Sequence, residues 1–113
     1  MLASDFVISS DRRLKAGIRP FEFKGRLSPK SYVYRADGKP DFGFIAQEVQ
    51  ELYPDAVGVL EDSGMLQLSY GKLTAILSHQ INAAEDRLTK QEAEISELRE
   101  QIQLLTKLMQ NRT

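Results

Sequence analysis

The chain has 113 residues, which suits one domain and leaves little room for two. Lys and Arg total 15 against 16 Asp and Glu, a formal net charge of -1, which argues against a surface devoted to nucleic acid or to an anionic membrane. With no cysteine, one histidine (His79), no apolar run near the ~20 residues of a membrane span and no signal-peptide pattern, disulfides and thiolate metal sites are excluded and neither a membrane nor a cofactor partner is expected.

Met1-Leu2-Ala3 reads as an excised start, because Phe6-Val7-Ile8 has the composition of a strand continuing from upstream. Residues 1–9 are therefore assigned to the end of an upstream region or linker. Phe21-Glu22-Phe23, alternating apolar and polar, and Tyr32-Val33-Tyr34, aromatic and β-branched, are short strand candidates. Ala36-Asp37-Gly38-Lys39-Pro40 is a turn by composition. Phe42-Gly43-Phe44 leads into an amphipathic helix over residues 45–52, with Ile45, Val49 and Leu52 on one face and Pro54 stopping it. Gly43, alone between two phenylalanines, reads as a close backbone approach. Ala56-Val57-Gly58-Val59-Leu60 is a further strand, returned by Glu61-Asp62-Ser63-Gly64 into Met65-Leu66-Gln67-Leu68 as a hairpin.

From about Tyr70 the period changes. No glycine follows Gly71 and no proline follows Pro54, so the two strongest helix breakers are missing from residues 72–113. Leu77, Ile81, Ala84, Leu88, Gln91, Ile95, Leu98, Ile102, Leu105 and Met109 are spaced alternately by four and three, the seam of a coiled coil. With Ile81 at position a, position g holds Arg87 and Glu94, and the e positions five residues on hold Glu92 and Arg99. Both g–e pairs are attractive in a parallel, in-register coil. Gln91 at d costs stability but can fix register, and the mixed seam leaves two or three strands open. A helix of about 40 residues is roughly 60 Å long and cannot fold back on a head of about 70 residues without exposing its stripe. Self-association follows, and the fold class is α+β: a mixed head over about 10–70, with short strands and one short helix, then a coiled-coil helix over about 71–110.

Chemistry centres on Ser10-Asp11-Arg12-Arg13-Leu14-Lys15. A serine attacks a carbonyl only when a base takes its proton, and a lysine serves when it is neutral. Ser10 and Lys15 are five apart, so they meet only if a turn or a strand-to-helix junction lies between them. The plainer alternative is that Ser9 or Ser10 caps a turn and Arg12, Arg13 and Lys15 are solvated. Glu48 with Glu51 reads as a wet helix face, Glu61 with Asp62 as a turn, and His79 as a lone helical histidine. No metal-ligand spacing or phosphate-cradling glycine loop occurs.

The order of Ser10–Lys15, Ile18-Arg19-Pro20, Gly43-Phe44-Ile45-Ala46-Gln47-Glu48-Val49, Tyr53-Pro54, Ala56-Val57 and Leu68-Ser69-Tyr70 before a long helix resembles a known family. It is similar to the C-terminal intramolecular chaperone domain of phage tail spikes and tail fibres, the endosialidase type, also classed as a self-cleaving serine peptidase. The resemblance covers about residues 9–110. It implies a homotrimer that brings three chains into register and assists folding of an upstream β-rich fibre of the same chain. It then implies autoproteolysis of the Ser10–Asp11 bond, with Ser10 as nucleophile and Lys15 as general base. The sequence does not show the oxyanion donors; backbone amides around residues 11–13 are the candidates. The resemblance implies three strands for the coil, with the ten seam residues as trimer interface. Assembly would take place in the host cytoplasm; the upstream product would enter the virion tail and the released domain would not. A structural trimerisation tip that never cleaves is the competing reading. A membrane-tethered eukaryotic transcription factor with a related domain is disfavoured, since no DNA-binding or membrane segment is visible.

Overall fold

The computed structural model describes residues 8–112. The strand expected at Phe6-Val7-Ile8 lies outside them, apart from Ile8, which is irregular. The elements are β1 (Lys30–Val33), β2 (Pro40–Gly43), α1 (Ala46–Leu52), β3 (Val57–Val59), β4 (Leu66–Leu68) and α2 (Tyr70–Gln110), with single 3₁₀ turns at Arg12–Leu14 and Pro54–Ala56. This is a small strand-containing head on a long helix, α+β, extending 82 × 45 × 29 Å. No helix among the described residues is long and apolar enough to cross a membrane.

Both sheets are isolated antiparallel hairpins, β1 with β2 and β3 with β4. Their loops share one device. Gly38 N–H bonds Tyr34 O at 2.8 Å and Gly64 N–H bonds Leu60 O at 2.8 Å, while the amides of Tyr34 and Leu60 bond across the loop to Lys39 O and Met65 O. Gly38 and Gly64 sit at φ 69° and 73°, the left-handed region where a β-carbon costs energy. The hairpin over β3 and β4 is the expected one, with Val57 opposite Leu68. The first hairpin enlarges the expectation: Pro40 opens β2 instead of closing the turn, and Phe42 pairs with Ser31. Proline is tolerated there because it is the first residue of a strand in a two-stranded sheet.

Phe21-Glu22-Phe23 is not a strand. Its alternation is genuine, since both rings turn to one side: Phe21 stacks on Tyr53 at 6.0 Å, and Phe23 stacks on His79 at 5.0 Å. Each hairpin is already complete, however, and among the described residues no strand pairs with this segment. Its order comes from side-chain packing, and it runs as an irregular strap across the head.

The core is small. Leu27, Val49, Tyr53, Ala56, Leu73 and Ile76 are buried, with Phe44, Leu52, Val57, Leu68 and Leu77 packed around them. Val49 carries the inner face of α1, and Ile45 and Leu52 beside it are half-buried, as their spacing predicts. Tyr53 ends α1 and ties the strap down, donating to Gly25 O at 2.6 Å and accepting from Lys24 N–H at 2.9 Å.

Ser69 begins α2: its hydroxyl accepts from Lys72 N–H, and its own N–H bonds Ala56 O at 2.9 Å. Beyond the head the helix is bare. Ile81, Leu88, Ile95, Leu98, Ile102, Leu105 and Met109 are all at least 48% exposed. Leu77 differs, because it is half-buried against the head core of its own chain.

Candidate self-cleavage site

The segment Ser10–Lys15 builds its own geometry. Asp11, with extended backbone, caps the 3₁₀ turn Arg12–Leu14: its Oδ1 accepts from Arg13 N–H at 2.8 Å. The turn closes with Leu14 N–H on Asp11 O at 3.0 Å and Lys15 N–H on Arg12 O at 3.1 Å. Lys15 leaves the turn extended, at φ -121° and ψ 147°. Its side chain therefore returns toward the residue before the cap. Lys15 Nζ donates to Ser10 Oγ at 2.7 Å.

Five residues of separation thus become a contact because three of them are spent in a tight turn. Asp11, not Ser9 or Ser10, provides the cap, which leaves the Ser10 hydroxyl to the lysine. Arg13 then clamps the cap, with Nε on Asp11 Oδ1 at 3.1 Å and Nη2 on Oδ2 at 2.9 Å. These bonds, the side-chain ones foremost, hold the Asp11 carboxyl below its ordinary 3.8 and raise the Arg13 guanidinium further above 12.5. The amide of Arg13 is spent on the Asp11 carboxylate and that of Leu14 on the Asp11 carbonyl, so of the candidate oxyanion donors only those of residues 11 and 12 are left for that role. All of Ser10–Lys15 is exposed, so the pair is reached from solvent.

The second sequence block lies elsewhere in the head. A β-carbon on Gly43 would stand 3.0 Å from the Tyr32 hydroxyl and 3.2 Å from that of Tyr70, so the expected close approach is made by two tyrosines. Tyr32 and Tyr34 meet edge to face at 5.5 Å. Hydrogen bonding to Tyr34, then loss of water and the nearby Tyr34, Asp41 and Tyr70, push the Tyr32 hydroxyl up to about 12. Glu48 lies 3.6 Å from Lys30 in an exposed ion pair, consistent with a wet helix face. His79 packs between Phe21 and Phe23.

Sequence reasoning left the role of Asp11 undecided and missed its Arg13 clamp. The signal was present: aspartate followed two residues on by arginine, at the start of a short turn, can cap and be forked at once. It also missed Tyr53 as the anchor of the strap, which nothing in a Tyr-Pro dipeptide announces.

Residues 10–58 match the family described as Chaperone of endosialidase. Over that segment, less than half of the chain, the sequence is similar to this family. The match contains both sequence blocks, from Ser10 to Val49, and runs on into β3. The chain is also 28% identical over 117 residues to the "Long tail fiber protein Gp37" of Salmonella phage S16, an alignment covering 91% of this chain. It spans only 16% of the length of that relative. No solved structure matches.

Proposed function

We propose that this chain is the intramolecular chaperone of a phage tail fibre: it assembles as a parallel trimer through α2, aligns three upstream fibre chains, and detaches by cutting the Ser10–Asp11 bond. The family match and the tail-fibre relative support the chaperone role. The bare seam of α2 supports association. Seven large apolar residues at heptad positions, each at least 48% exposed, are an unstable arrangement for a lone helix and an ordinary one for a coil.

The observation that carries the cutting step is the 2.7 Å approach of Lys15 Nζ to Ser10 Oγ. In the single chain the lysine donates, the reverse of a base's role. Removing water around an amine favours its neutral form, and neighbouring chains packed over the exposed turn would do this on assembly. Ser10 Oγ and the carbonyl of the Ser10–Asp11 bond belong to one residue, so direct attack would close a four-membered ring. Attack by Ser10 of a neighbouring copy avoids that strain. Oγ bonds to the carbonyl carbon as its proton passes to Lys15. The bond to the Asp11 nitrogen breaks and that nitrogen takes the proton. Water then hydrolyses the Ser10 ester, restoring the hydroxyl and leaving a carboxylate.

Assembly first and cutting second is physically coherent. Intertwined β-structure must close long loops before it gains contacts, whereas a helix seam forms locally and raises the effective concentration of the chains above it. Cutting the link removes the assembly route, so the finished fibre is kinetically trapped. On this reading assembly takes place in the host cytoplasm and only the upstream product remains in the virion tail. The exposure of the Ser10–Lys15 pair in a single chain also keeps open the competing reading, a trimerisation tip that does not cleave. Intact mass of the chain joined to its upstream fibre separates the two. Two fragments for the parent and one full-length chain for Ser10→Ala support cutting, and full-length chains for both leave only the tip.

A further inference from the structure

The head covers one flank of α2 and leaves the seam beside it open. Leu73 and Ile76 are buried under the head, and Gln80 Oε1 accepts from Leu27 N–H at 3.1 Å. One residue on, Ile81 is 58% exposed. Between these two lines runs a groove of about 510 Å³, walled by Phe23 and Arg26 of the strap and floored by Gln80, Ile81, Ala84 and Arg87 of α2. Ile81 and Ala84 are seam positions a and d, so the groove is the first stretch of the seam, with the head standing along one side of it.

We propose that this groove seats α2 of a second copy of this chain, and that Arg26 of the head there meets Glu85 of the neighbouring copy. The inference rests on the parallel coil of the preceding section and adds the head to the interface. In such a coil position g faces position e five residues on in the neighbour. Arg87 at g faces Glu92, an opposite charge. Gln80 at g faces Glu85, and Gln80 is neutral with its carbonyl already held by Leu27. Arg26 directly precedes Leu27, is exposed, lines the groove, and is in no ion pair among the described residues. It supplies the cation that the g position lacks. Phe23, stacked on His79 at 5.0 Å, gives the groove a fixed apolar wall.

The consequence is a link between assembly and the cutting segment. The strap that carries Phe23 and Arg26 follows Lys15 in the chain and has no strand partner among the described residues. A neighbour seated against it adds contacts to the strap only when the coil has formed in parallel and in register. Assembly would then add to the hold on the strap just beyond the Ser10–Lys15 turn.

Oxidative cross-linking tests this directly, because the 113-residue chain contains no cysteine. Leu98→Cys, at a d position, reports the coil itself as a disulfide-linked pair. Arg26→Cys combined with Glu85→Cys should give covalent species of two and three chains on a non-reducing gel, and each single substitution none. If Leu98→Cys cross-links while the 26/85 pair stays single-chain, the inference is overturned and the coil stands. If neither cross-links and the chain sediments as a monomer, the coil reading fails and takes the inference with it. Charge reversal gives a second arm without cysteines. Arg26→Glu should lower the concentration-dependent melting temperature of the assembly and Glu85→Arg added to it should restore it; a double variant no better than the single contradicts the pairing.

Discussion

Tyr53→Phe is the sharpest test of how the head holds the strap. The substitution deletes one hydroxyl and keeps the ring that stacks on Phe21. Two hydrogen bonds go with it, from Lys24 N–H at 2.9 Å and to Gly25 O at 2.6 Å, both partly buried. Each such bond is worth about 0.5–1.5 kcal/mol net, and stranded partners add to the loss, so the strap should be destabilised by about 1–3 kcal/mol. That is roughly a 5- to 150-fold rise in the population of the opened strap, since 1.4 kcal/mol is a factor of ten. Native-state hydrogen exchange reads it at Leu27, whose amide is held by Gln80 and is not itself touched by the change. Exchange at Leu27 should accelerate by that factor while amides in the middle of α2 stay unchanged. An unaltered Leu27 rate would mean that Tyr53 does not anchor the strap, and the argument from its two bonds would be wrong.

Three further outcomes follow from the site. Asp11 should titrate below 3.8, so its cap is intact above that value and is lost as pH falls through the depressed one; Arg13→Ala should move the Asp11 carboxyl midpoint, followed by carbon NMR, back toward 3.8. Tyr32 has the opposite sign: its contribution is full below pH 10 and disappears as pH rises through about 12, and Tyr34→Phe should bring its phenolate absorbance midpoint down. Gly43→Ala should cost about 1–3 kcal/mol in urea melts of the head, toward the low end because the two crowded atoms, 3.0 and 3.2 Å away, end rings that can shift.

The sequence was most legible where a period or a punctuating residue carried the signal. The heptad spacing from Leu77 to Met109 located α2, whose observed span is Tyr70–Gln110. Gly64 and Gly38 marked the hairpin loops because no other residue suits their backbone cheaply. It was least legible where order comes from distant side chains. Phe21 and Phe23 alternate like a strand, and only the positions of Tyr53 and His79 decide that they stack without pairing. Pro40 looked like the end of a turn because a strand of four residues beginning with proline has almost no period of its own. At the candidate site, spacing alone could not bring Ser10 to Lys15. The contact depends on Asp11 capping a three-residue turn, a local arrangement that sequence permits without requiring.

The central claim is that Ser10 and Lys15, already in contact in the single chain, cut the chain once assembly has packed neighbouring copies over them. Intact mass of the chain joined to its upstream fibre, for the parent and for a variant with the coil broken by Ile95→Asp and Leu98→Asp, tests it most directly. The parent should yield a released fragment beginning at Asp11, and the coil-broken variant should remain full length. Equal cutting in both, or a released fragment that begins elsewhere, would contradict the account.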